Sequence, residues 1–180
     1  FKLPQALLAL QENAKTFLGS QLATVFDHVD DTFFDLADQA DNNRNQTMYF
    51  DAMRLIRVER RAIEHHFFNT LASNFQRLGD EKYRGDSMSS KKGQGLELMD
   101  NDDLEEIIAL DTMVSKTSEL WKAELETLSF RIDSLVPAMI SAKNNPIGPD
   151  TICEAFNSAV AHLELSVPAK LVFYKLFDRH

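Results

Sequence analysis

Apolar residues recur at three- and four-residue spacing along most of the chain, and no stretch alternates with period two for long enough to make a strand. Leu7, Leu10, Ala14, Phe17 and Leu18 predict a first helix from Leu3 to about Gly19, with Pro4 tolerated in its opening turn. Ser20 predicts a fresh cap, after which Leu22, Val25, Phe26, Val29, Phe33, Leu36, Ala37 and Ala40 carry the stripe to about Asp41. The polar cluster Asp41-Asn42-Asn43-Arg44-Asn45 predicts a turn. A third helix follows from about Gln46 to Leu78, striped by Tyr49, Met53, Ile56, Ile63, Phe67, Leu71, Phe75 and Leu78. Arg60 interrupts that stripe where an apolar residue is expected.

Between Gly79 and Gly95 the periodicity gives way to Gly, Asp, Ser and Lys, which predicts a linker joining two helical halves, 1–78 and 96–180. The second half opens on Asp100-Asn101-Asp102-Asp103, which supplies caps and negative charge where a helix dipole is positive. Leu104, Ile107, Asp111, Val114, Ser118, Trp121, Leu125, Leu128, Ile132 and Leu135 then step by three and four alternately. This heptad line predicts one long helix, limited by Pro137. Asn144 to Pro149 predicts a turn, Asp150 caps a helix through Leu163, and Pro168 opens a last helix from Ala169 to Phe177. The fold class is therefore all-α: a single domain built as a bundle of five to seven helices, several of them long and antiparallel.

Composition supports long elements, because Gly (6) and Pro (5) are too scarce among 180 residues to supply many turns. The formal net charge of −9 disfavours nucleic-acid binding. One cysteine, Cys153, excludes an internal disulfide and any multi-cysteine zinc site, and fits a reducing, cytoplasmic setting. No apolar run reaches the roughly 18–20 residues that span a bilayer. A chain that begins at Phe1 and ends on Arg179-His180 is expected to be a piece of something longer.

Candidate chemistry is sparse. Glu64-His65-His66 lacks the i, i+3 or i+4 pairing that puts metal ligands on one helix face, so no metal or other cofactor is expected. Asp27, Asp31, Asp35 and Asp38 form a carboxylate stripe that a short turn would fold back against Arg54, Arg57, Arg60 and Arg61. The spacing Arg57-x-x-x-Arg61 matches half the signature of PilZ domains, which bind cyclic di-GMP. Those are β-barrels, however, and Asp86-Ser-Met-Ser-Ser does not supply the other half. Cys153 sits among apolar neighbours and is expected to pack as a small hydrophobe. No Gly-x-Ser-x-Gly elbow or phosphate loop is present. The heptad line is the strongest interaction signal, since polar Asp111 and Ser118 at seam positions can set register and partner choice.

Four stretches together carry a resemblance: Thr47-Met-Tyr-Phe-Asp-Ala-Met-Arg54, Leu104 to Lys116, Asn145-Pro-Ile-Gly-Pro149 and Leu171 to Asp178. They resemble a proteobacterial family, common in pseudomonads, that is catalogued as a domain of unknown function and often mis-titled thymidine phosphorylase. The resemblance implies a cytoplasmic bacterial protein, much longer in full, with no catalytic residues to carry over. The expected function is a non-enzymatic regulatory or scaffold domain that binds another protein, the rest of its own chain or a second copy. Asp111, Val114, Ser118, Trp121 and Leu125 are its candidate contact residues. The alternative is a sensor of an anionic nucleotide such as cyclic di-GMP, using Arg54, Arg57 and Arg61.

Overall fold

The computed structural model describes residues 1–80, 100–136 and 138–180. Its described residues form six helices and no strand, in agreement with the all-α expectation. Helices α1 (Gln5–Asp38) and α2 (Asn43–Arg77) make a long hairpin. At about 1.5 Å rise per residue each runs roughly 50 Å. Then come α3 (Asn101–Leu120), α4 (Lys122–Leu135), α5 (Pro149–Val160) and α6 (Val167–Arg179). The linker expected over Gly79–Gly95 lies outside the described residues from 81 onward.

Four sequence-based boundaries need correction, the first two being the larger. Gly19 and Ser20 do not separate two helices, because α1 runs through both without a break. A glycine inside a helix costs only about 1 kcal/mol, which the packing of a 34-residue helix easily offsets. The Ser20 carbonyl accepts a hydrogen bond from Thr24 Oγ1 at 3.1 Å instead of Ser20 capping a new element. Conversely, the long heptad helix is interrupted at Trp121, whose backbone sits at φ −112° and ψ 27°. The hydrogen bonds Trp121 N to Thr117 O (3.1 Å) and Leu125 N to Trp121 O (2.9 Å) bridge the interruption, so it is a kink and not a loop.

The turn between α1 and α2 is shorter than its polar cluster suggests. Asn42 takes the cap position and its Oδ1 accepts from Asn45 N at 2.9 Å, drawing Asn43 to Asn45 into the helix. The last helix likewise starts two residues earlier than expected, with Ser166 before its first residue and Pro168 in its first turn.

Two apolar clusters hold the bundle. The larger joins both sequence halves: Phe26, Phe33, Ile56 and Phe67 of the hairpin meet Phe156, Phe173 and Tyr174 of α5 and α6. Within it Phe156 stacks on Phe177 with centroids 3.9 Å apart and meets Phe173 edge-on at 5.1 Å. The Tyr174 hydroxyl donates to Asn157 Oδ1 at 2.6 Å. The smaller cluster closes the other end of the hairpin, where Leu3, Leu7, Leu71, Phe75 and Leu78 receive Ile132, Val136 and Ala138. Leu18 and Phe68 pack against both clusters.

The opposed charge stripes meet in part. Asp30 pairs with Arg57 at 2.9 Å and Asp27 with Arg60 at 3.6 Å, in keeping with the antiparallel register that the buried apolar contacts of the hairpin set. Among the described residues Asp31, Asp35 and Asp38 make no ion pair, and Arg54 pairs with Asp51 on its own helix. Arg60 explains the gap in the α2 stripe, since its guanidinium lies 5.0 Å over the Phe26 ring while its Nε donates to Glu64 at 3.1 Å. An arginine there covers apolar surface and keeps its charge in contact with water.

Candidate functional site

Helix α3 lies across α5 and α6 on one narrow line of side chains. Met113 is its one buried residue, flanked by Ala109 and Leu110, which pack on the larger cluster. Two ion pairs seat the same side: Glu106 with Lys170 and Lys116 with Asp178, each at 2.9 Å. The Glu106 pair is the tighter anchor, with its side chains only 20% and 15% exposed.

The heptad line is therefore not the core line of α3. It lies beside the stripe of Glu106, Leu110, Met113 and Thr117 and faces outward along most of its length. Leu104 is 45% exposed, Ile107 40% and Trp121 52%, and Asp111 is also exposed. Val114 and Ser118 are half-buried along the same seam. Beyond the kink the line turns inward as far as Ile132, with Leu125 and Leu128 half-buried and Ile132 fully buried in the smaller cluster, while Leu135 at its end is exposed. Sequence periodicity identified the stripe, but phase alone could not say which neighbour it meets.

Two clefts border this surface. The first has a volume of about 260 Å³ and lies between α1 and the α3–α4 kink, walled by Phe17, Leu22, Met113, Trp121, Leu125 and Cys153. Burial, reinforced by the Asp150 and Asp178 carboxylates, pushes the Cys153 thiol up to about 11. It is thus protonated at neutral pH and a poor nucleophile. The second cleft, about 480 Å³, separates α4 from the loop before α5 and includes Ser118, Leu125, Phe130 and Ile140.

That loop is firmly built. Buried Asn145 accepts from Ile147 N at 3.2 Å and donates from Nδ2 to Ser129 Oγ on α4 at 3.1 Å. Its carbonyl accepts from Thr151 Oγ1 at 2.6 Å. Asn144 in turn accepts the Ser141 N–H at 2.6 Å and donates to the Met139 carbonyl at 3.3 Å. Met139 adopts a positive φ of 52°, unusual for a non-glycine residue. From the sequence this stretch reads only as a turn. The Asn-Asn pair ahead of Pro146 was the available signal, because asparagine side chains bond nearby backbone groups.

Sequence reasoning also missed the exposed apolar residues Ile108, Leu120 and Phe130, at 55%, 68% and 76% exposure. Ile108 was legible as a neighbour of Ile107: adjacent helical residues point about 100° apart, so both cannot meet one core line.

The arginines of the nucleotide alternative are not gathered into a cationic pocket. Arg54 and Arg57 are each paired with a carboxylate, and the small cavity beside Arg57 and Arg60 also admits Asp27 and Asp30. Arg61 is exposed on the α2 surface and makes no ion pair among the described residues. His66 Nε2 lies 2.9 Å from Ser158 Oγ and His65 Nε2 2.8 Å from Asn69 Nδ2, on separate sides of α2.

Among the described residues no helix is long and apolar enough to cross a membrane. No curated protein and no solved structure matches the chain. A family model described as the N-terminal domain of a protein of unknown function, DUF1631, matches residues 2–180, almost the whole length, and the chain belongs to that family.

Proposed function

We propose that this domain works by binding another protein through the outward seam of α3 and the kink at Trp121, as a regulatory or scaffold module without chemistry of its own. A bacterial, cytoplasmic setting is part of the proposal. One observation carries it: Leu104 and Ile107 on the heptad line of α3, and Trp121 at the kink that ends it, are each at least 40% exposed. Solvent-facing apolar residues are ordinary when scattered, but several aligned on one helix face mark a contact surface. The rest of the line, Val114, Ser118 and Leu125, supplies the half-buried floor that a partner helix could pack against.

The test is capture of partners by immobilised domain, compared among wild type, Leu104→Ser and Trp121→Ala. Saturable binding that falls at least tenfold in both variants, with unchanged helical circular dichroism, is the expected result. Undiminished binding in both folded variants would refute the seam as the site. The nucleotide reading through Arg54, Arg57 and Arg61 stands second, because an anion there must displace Asp51 and Asp30 from their arginines.

A further inference from the structure

Helix α3 carries six carboxylates (Asp102, Asp103, Glu105, Glu106, Asp111 and Glu119) and one lysine, Lys116. The lysine is spent on Asp178, and of the carboxylates only Glu106 has an ion-pair partner among the described residues. Asp111 is the informative one. It stands in the middle of the outward seam, four residues from Ile107 and three from Val114, so the three side chains share a face. The Lys143 ammonium feels the Asp111 charge, but its hydrogen bond is to Asp150.

A purely apolar helix laid along Ile107, Val114 and Trp121 would cover the Asp111 carboxylate with no cation in contact with it, since Lys143 is already bound to Asp150, and that is unfavourable. A second copy of the chain fits no better. A twofold contact sets the same patch against itself, and here that would bring one acidic helix onto another in a protein of net charge −9. A cationic side chain opposite Asp111, with further cations beside Asp103, Glu105 and Glu119, resolves the conflict.

Resting on the protein-binding reading above, we infer that the α3 seam takes a basic amphipathic helix of its partner. The partner's apolar stripe packs on Ile107, Val114 and Trp121, and a lysine or arginine sits against Asp111. Hydrophobic contact supplies the affinity in this mode, and the charge pattern selects the partner and speeds encounter.

Trp121 is the only tryptophan and lies on the seam, so its emission reports occupancy directly. The experiment titrates the whole chain with two synthetic 21-residue helical peptides of identical leucine spacing, one with lysine and one with glutamate at the polar positions. The lysine peptide is expected to shift Trp121 emission to the blue and saturate. The glutamate peptide is expected to bind at least tenfold more weakly. Asp111→Lys should weaken the lysine peptide at least tenfold, while Asp35→Lys, on exposed α1 surface, should leave it within twofold.

Equal binding of both peptides, or equal loss in both charge variants, overturns the inference. So does absence of binding by either peptide. Partner capture that still depends on Leu104 and Trp121 would then keep the broader reading, and capture that does not would remove both. Concentration-dependent dimerisation in sedimentation, abolished by Ile107→Ser, would assign the seam to a second copy and also overturn the inference.

Discussion

Replacing Gly19 with alanine tests the continuity of α1 directly. In the structure Gly19 lies in the middle of a helix with ordinary backbone geometry, and a Cβ built there would meet Phe68 Cζ at 3.6 Å, a normal contact distance. Alanine in a helix interior is favoured over glycine by about 0.8–1.0 kcal/mol, mainly through the smaller entropy of its unfolded state. The new methyl sits on a half-buried position, so part of the roughly 0.8 kcal/mol of one buried carbon is added. A net gain of about 1 kcal/mol follows, which raises Tm by roughly 2–4 °C in a domain of this size. Gly19→Pro should do the opposite. It removes a helical N–H and crowds the preceding turn, a loss of about 3 kcal/mol. Urea titration followed by far-ultraviolet circular dichroism measures both. A break between two helices at this point would tolerate proline and give alanine no advantage. Tolerated Gly19→Pro, or a Gly19→Ala variant less stable than wild type, would therefore refute the continuous helix.

Phe156→Ala removes a fully buried ring that contacts Phe173, Tyr174 and Phe177, and the loss should be about 3–5 kcal/mol in the same assay. A loss under about 1 kcal/mol would mean that the cluster refills the space. Asn74 is 5% exposed and makes no side-chain hydrogen bond among the described residues, so Asn74→Leu should stabilise by about 1–3 kcal/mol; marked destabilisation would reveal a partner for the amide. Cys153, raised from 9.0 to about 11, should react with iodoacetamide at pH 8 about a hundredfold more slowly than in urea. Because its folded-state pKa is the higher one, its contribution to stability is constant below about pH 9 and is lost as pH climbs from 9 to 11. Reaction at the same rate in folded and unfolded protein would contradict the burial.

The helical class was legible because periodicity is repeated over long segments, and long segments average out local exceptions. Local punctuation was less reliable. Gly19-Ser20 resembles a stop and a cap, yet the apolar stripe carried by Leu18, Leu22 and Val25 keeps its phase across it, and packing of the hairpin decides the outcome. At Trp121 the reverse holds. The heptad spacing continues, but α3 is anchored through Met113 in the larger cluster and α4 through Ile132 in the smaller. One straight helix would have to serve both anchors. The outward facing of the seam was hidden for a related reason: Glu106 lies on the packed line, and its partner Lys170 on α6 makes that placement favourable. The Asn145 network was out of reach because it depends on Ser129, sixteen residues away.

Leu18 and Phe68 belong to neither cluster alone, and they are the side chains through which the two share contacts along the hairpin. Such a joint governs cooperativity. With it intact, amide hydrogens at the Leu7–Phe75 end and at the Phe33–Ile56 end should exchange through a common opening, as one unit. Truncating Phe68 would let the end closed by Val136 and Ala138 open by itself, as a separate, less protected unit, while Phe156 and its neighbours stay closed. The identity of residue 68 thus sets how many independently opening pieces the domain has.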